Sequence, residues 1–462
     1  MKRLVFTPIL LAACLLAGAC HHATPAAQAN IAANAAPPSV QPAGPDYLAM
    51  VLLPPAGNGK TDQQIIQTQR EIKRQRDPAP WVERLGWLYI AKARESFDPG
   101  FYKLAEACAF CLESTDGHSL SALLLRGHVL QNLHRFKEAE PLARELLARR
   151  GLSFDYGLLG DVLMEQWRLD EAAGAYQKMV DQKPDLQAYA RIAYLRWLKG
   201  DVSGASQVME LAVTAASPNA PEAAAWVNTR MALLKLQNGE LDAANESCEE
   251  ALEYHTNYAP ALLVQGRLLL ANGRNEEAVE TLRRAEGLNP LPDYEWVLSE
   301  ALQAAGDPEN AAKIADEMAR QGAASDPRTY SLYLATSGRS PALALELAQN
   351  ELNTRADVFT HDAVAWALAA NGRTTEAWQE MQAALAEGTK DARLSMHAAV
   401  LAAKAGQADA AREWLTQAIS LMPMLLPSEQ KQLMQAAELL GEASEADPVL
   451  TAMTDSGSNP EN

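Results

Sequence analysis

One spacing constrains this chain more than any other: a glycine, followed five residues later by a small residue, recurs about every 34 positions. The glycines are Gly200, Gly239, Gly273, Gly306, Gly338, Gly372 and Gly406, at intervals of 39, 34, 33, 32, 34 and 34 residues. The residues five further on are Ala205, Ala244, Ala278, Ala311, Leu343, Ala377 and Ala411. Counting back by 33 from Ala205 reaches Ala172 and then Ala139, with Trp167 and His134 in the place of glycine. Seven residues after the alanine a second one recurs, at Ala212, Ala251, Ala285, Ala384 and Ala418, and proline closes several units at Pro184, Pro290 and Pro423. A fixed period of this length is the mark of a repeat array.

Each unit reads as a helical hairpin. Glycine ends the first helix, because it enters the left-handed conformation without steric cost. Acidic residues such as Asp170, Glu171, Glu276 and Glu277 suit the positive start of the second helix. The alanines let two helices approach closely, and proline stops the second. One hairpin cannot bury its apolar face alone, so neighbours must stack. Composition agrees: 48% of the 462 residues are hydrophobic but only 6% aromatic, which favours helices packed through small residues over sandwiches or barrels. A net charge of −18 argues against a nucleic-acid binder. Five cysteines are too few for a disulfide scaffold.

These residues resemble the tetratricopeptide repeat (TPR). Leu85-Gly86-Trp87-Leu88-Tyr89 matches the family's first helix. Leu159-Gly160, Ala172, Tyr176 and Pro184 match one whole repeat, and Gly266, Ala278, Ala285 and Pro290 another. The resemblance covers about 80–425. It implies an all-α fold: a right-handed superhelical solenoid of about nine hairpins. The unit around Gly338 departs from the pattern, and the first unit carries extra residues around Phe97 to Gly100.

The flanks differ in character. Lys2 and Arg3 precede an apolar run, Leu4 to Leu16, too short to span a membrane and read as an export signal over 1–19. Leu16-Ala17-Gly18-Ala19-Cys20 resembles the lipobox of bacterial lipoproteins, in which the cysteine is acylated. Leu11-Ala12-Ala13-Cys14 is a second match, but cutting there leaves too short an apolar run. Without Lys2 and Arg3 the chain holds 38 basic against 58 acidic residues, a net charge of −20, so anionic lipid would not attract it and the membrane would be reached through the anchor. Because His21 is not aspartate, the resemblance implies the outer membrane, facing the periplasm. Residues 20–45 read as a flexible Ala/Pro-rich tether, 46–79 as a flanking segment with a polar helix, 426–444 as a capping helix and 445–462 as a disordered acidic tail.

Two constellations invite a chemical reading. Gly57-Asn58-Gly59-Lys60-Thr61 lies before a helix, but the first glycine of a phosphate loop would fall at Pro54, which leaves a plain turn and no nucleotide. Cys108-Ala109-Phe110-Cys111 sits in a second helix, with only His118 near enough to join it. Buried small residues, a local disulfide, or a metal or redox module are the alternatives. The sequence shows no HExxH, GxSxG or paired-carboxylate signature, so the chain is read as non-catalytic, with no cofactor.

In the family the first helix of each repeat lines a concave groove that binds protein segments. Eleven residues before each repeat alanine stand His128, Asp161, Tyr194, Leu233, Arg267, Glu300, Trp366 and Val400. Asp161, Tyr194, Trp197, Trp226, Arg267 and Glu300 are the candidate groove residues, since aromatic rings and guanidinium groups anchor interfaces. Fifteen before the alanines no Lys or Asn occurs, so the family's clamp for a partner's terminal carboxylate is not supported. The sequence thus points to a membrane-tethered scaffold or adaptor with a protein partner in bacterial envelope assembly or export. The alternatives are an accessory arm of an envelope enzyme complex, such as a glycosyltransferase or polysaccharide exporter, and a metal or redox module at Cys108 and Cys111.

Overall fold

The computed structural model describes residues 46–441. Cys14, Cys20, the tether, the acidic tail and the last positions of the expected 426–444 cap lie outside the described residues. Every regular element among the described residues is helical: α1 (Tyr47–Val51), α2 (Lys60–Arg74), α3 (Ala79–Ser96), α4 (Gly100–Thr115), α5 (Leu120–Asn132), α6 (Phe136–Arg149), α7 (Ser153–Glu165), α8 (Leu169–Gln182), α9 (Leu186–Leu198), α10 (Val202–Thr214), α11 (Pro221–Leu236), α12 (Leu241–Tyr254), α13 (Ala259–Ala271), α14 (Asn275–Leu288), α15 (Pro292–Ala304), α16 (Pro308–Ser325), α17 (Pro327–Ser337), α18 (Pro341–Leu352), α19 (Val358–Ala370), α20 (Thr374–Leu385), α21 (Ala392–Lys404), α22 (Ala408–Ser420) and α23 (Pro427–Leu440). From α3 to α22 they run as ten successive helix pairs, and the fold is the all-α solenoid that the period implies. The described residues form two compact units, 46–133 and 134–441.

In the 46–133 unit, α1 is pinned through polar groups. Gln69 Nε2 donates to the carbonyls of Val51 and Leu53 at 2.9 and 2.8 Å, and the Tyr89 hydroxyl donates to Val51 O at 2.7 Å. Burial pushes that phenol up to about 12. At the start of α2 the Asp62 carboxylate accepts from Gly59 N at 2.9 Å and from Lys92 Nζ at 3.0 Å. The Gly59 amide is therefore already taken by a carboxylate of the same chain. Cys108 is buried in the unit's core, Cys111 is partly buried, and both thiols are free. Burial raises both thiols, Cys111 to about 11, which disfavours a reactive thiolate at either position.

The 134–441 unit holds α6 and the eight pairs from α7/α8 to α21/α22, closed by α23. Its turns follow one pattern. Gly273 has φ +70°, and Arg274 N reaches back to Leu269 O at 2.9 Å, the bond that seals a helix end with a left-handed residue. Trp167 and His134, which replace glycine, adopt the same conformation at φ +62° and +56°. Between the helices of a pair, Ala278 and Ala285 are fully buried, and Gly266 faces Leu282 with no room for a methyl group. One repeat departs from the expected register. Leu343 is exposed at 37% and Ala344 is buried in its stead. The cause is the turn, where both Gly338 and Ser340 have positive φ, +68° and +43°, so the second helix begins one residue late.

Candidate ligand cavity on the inner face

The first helices of the pairs form the inner face of the 134–441 unit, and that face is not left open. The C-terminal pairs lie against it. Trp197 Nε1 on α9 donates to Lys390 O at 2.8 Å, and Thr389 Oγ1 donates to Leu198 O. Gln237, just after α11, donates to Asp391 Oδ2 at 2.6 Å and accepts from Ala392 N at 3.2 Å. Lys199 pairs with Glu387 at 3.1 Å. Further along, Arg267 on α13 donates to Met424 O at 2.9 Å, and Ser428 N donates to Glu300 Oε2 at 3.1 Å. Partners in these bonds stand 128 to 193 residues apart in the chain.

Inside this closure lies a cavity of about 370 Å³. One wall is aromatic. Trp197 stacks on Phe359, with ring centroids 5.7 Å apart, and tilts against Tyr194 at 5.2 Å. Ion pairs make up much of the rest. Arg328 meets Asp357 at 3.1 Å, and Arg355 bonds both Asp357, at 3.0 Å, and Glu165. Burial pushes the Asp357 carboxyl up, but Arg328, Arg355 and the Thr360 hydrogen bonds outweigh it and hold it at about 2. Asp293 also lines the cavity; burial pushes its carboxyl up, against Arg267 and Arg393. Arg230 is different. Its guanidinium lies 5.5 Å from the centre of the Tyr194 ring, and among the described residues no carboxylate pairs with it. Burial pushes it down, since the charge is uncompensated.

Of the six candidate groove residues, the cavity brings together Tyr194, Trp197 and Arg267. The other three are elsewhere. Asp161 is buried in a two-bond pair with Arg191, at 2.9 and 2.6 Å, and also accepts from the Tyr176 hydroxyl at 2.7 Å. Trp226 packs on the Ala225–Ala244–Cys248 cluster. Glu300 is buried against Ser428 and Trp296. The expected open strip is therefore covered, because the inner face meets the chain's own C-terminal pairs. Arg230, Arg328, Arg355 and Phe359 complete the cavity without having been singled out. One signal pointed to Arg230: Arg191 and Arg230 stand fourteen residues before Ala205 and Ala244, where Leu158 and Val264 stand before Ala172 and Ala278.

Tetratricopeptide repeat family models match residues 124–186, 158–221, 235–295 and 364–423. The chain carries tetratricopeptide repeats. Among solved structures, similar folds include PilW, a widely conserved type IV pilus biogenesis factor, at 11% identity over 44% of this chain and 93% of that one, with a TM-score of 0.37. Another is MamA, at 18% identity over 38% and 93%, with a TM-score of 0.29. Both likenesses are partial, and the tetratricopeptide assignment stands on the family models and the helix pairs. No curated protein matches the chain. Among the described residues no helix is long and apolar enough to cross a membrane, and no three His, Cys, Asp or Glu side chains converge as metal ligands would.

Proposed function

We propose that this protein is a non-catalytic tetratricopeptide adaptor of a bacterial envelope, tethered through acylated Cys20 to the outer membrane on its periplasmic side and engaged with a protein partner in assembly or export. The stack of tetratricopeptide pairs carries the reading, since such repeats are scaffolds that bind proteins. The lipobox-like Leu16 to Cys20 segment supports the anchor. Because the inner face is taken up by the chain's own helices, the partner meets the surface that the closed stack leaves outside. Affinity capture from envelope extract, with cross-links mapped by mass spectrometry, tests this. A saturable protein whose cross-links avoid the cavity is the expected result. No captured protein contradicts the adaptor; capture lost on replacing Tyr194 and Arg267 returns the site to the inner face. Retention of the Cys20→Ser chain in the membrane fraction contradicts the anchor.

A further inference from the structure

We propose that the inner cavity of the 134–441 unit is a binding site for a small organic acid, with one carboxylate on an apolar or aromatic body, and that Arg230 holds the carboxylate. Four observations converge. The volume, about 370 Å³, lies within the range of small-molecule sites and is far below what a helix of a partner would need. The wall of Tyr194, Trp197 and Phe359 offers ring faces for an apolar body. At one end of that wall stands Arg230, over the Tyr194 ring, whereas Arg328, over the Phe359 ring at 5.9 Å, is already paired with Asp357.

The fourth observation is the uncompensated charge. A partly buried guanidinium with no anion facing it is costly, and five donors in a planar fork match a carboxylate in two bonds. The surrounding charges select among anions. Glu165 and Asp357 in the same cavity are already paired with Arg355 and Arg328, so Arg230 is left to match a single carboxylate rather than a dianion. Partly buried Asp293, raised by desolvation and without a hydrogen bond among the described residues, offers a second polar contact for a hydroxyl or amide on the ligand.

The claim stands apart from the adaptor reading, because it concerns the isolated chain. Calorimetric titration of the full chain with 4-phenylbutyrate, and with 4-phenylbutan-1-ol as the neutral counterpart, reads it directly. One molecule of the acid should bind per chain, at least about tenfold tighter than the alcohol, as expected for one charge-assisted contact. Arg230→Met should bring the two affinities together, and its unliganded melting temperature should equal or exceed that of the wild type. No binding of the acid, or equal affinity for acid and alcohol on the wild-type chain, overturns the proposal. So does a preference for the acid that survives in Arg230→Met. The acid-to-alcohol ratio on the wild-type chain decides the matter even if the variant fails to fold.

Discussion

At Gly273 the backbone has φ +70°, and an added Cβ would meet nothing within 4 Å. Space is free there and conformation is not, so the residue isolates the cost of the left-handed state. Gly273→Ala should lower stability by about 1–2 kcal/mol, read as a fall in melting temperature; an unchanged melt would mean that the turn does not hold this conformation. The same geometry shows what single residues reveal. Recurrence alone singled out Trp167 and His134 as stand-ins for glycine, and both adopt positive φ. Leu343 shows the limit. A period counts residues along the chain, and it cannot see the extra left-handed residue at Ser340 that moves Ala344 into the buried position.

Between elements, the contact of α15 with α14 and α16 carries a titratable group. Glu295 is 1% exposed and accepts from Gln321 on α16 at 3.1 Å. Burial pushes its carboxyl up to about 7; the Gln321 bond opposes this, and Glu286 on α14 and Glu317 on α16 add to the rise. The folded pKa lies above the unfolded value of about 4.3, so the native state keeps a proton that the unfolded chain has lost. That contribution is fully present below about pH 4 and is lost as pH rises to 7. Glu295→Gln removes the titration. Its melting temperature relative to wild type should climb between pH 4.5 and 8, and a difference independent of pH would contradict the account. Helix pairing itself was legible in the sequence, because the alanine and glycine positions fix which faces touch. The covering of the inner face was not. It is made by backbone carbonyls such as Lys390 O and Met424 O, and by pairs such as Arg355–Glu165 that lie 190 residues apart. No short period encodes such contacts.

At the scale of the whole molecule, the chain joins an acidic body to a segment whose sequence reads as an export signal and tether. With −18 net charge it is steered toward basic or neutral partners and away from acidic surfaces. What the 134–441 unit offers such partners depends on whether its inner face is closed, and one side chain reports on that. Lys199 Nζ lies 3.2 Å from Asp170, in a neighbouring pair, and 3.1 Å from Glu387, in the C-terminal pairs. A zero-length carbodiimide cross-link followed by peptide mass spectrometry samples both at once. The closed inner face predicts Lys199–Glu387 links alongside Lys199–Asp170 links. Lys199–Asp170 links alone would show an open face, and would contradict the account.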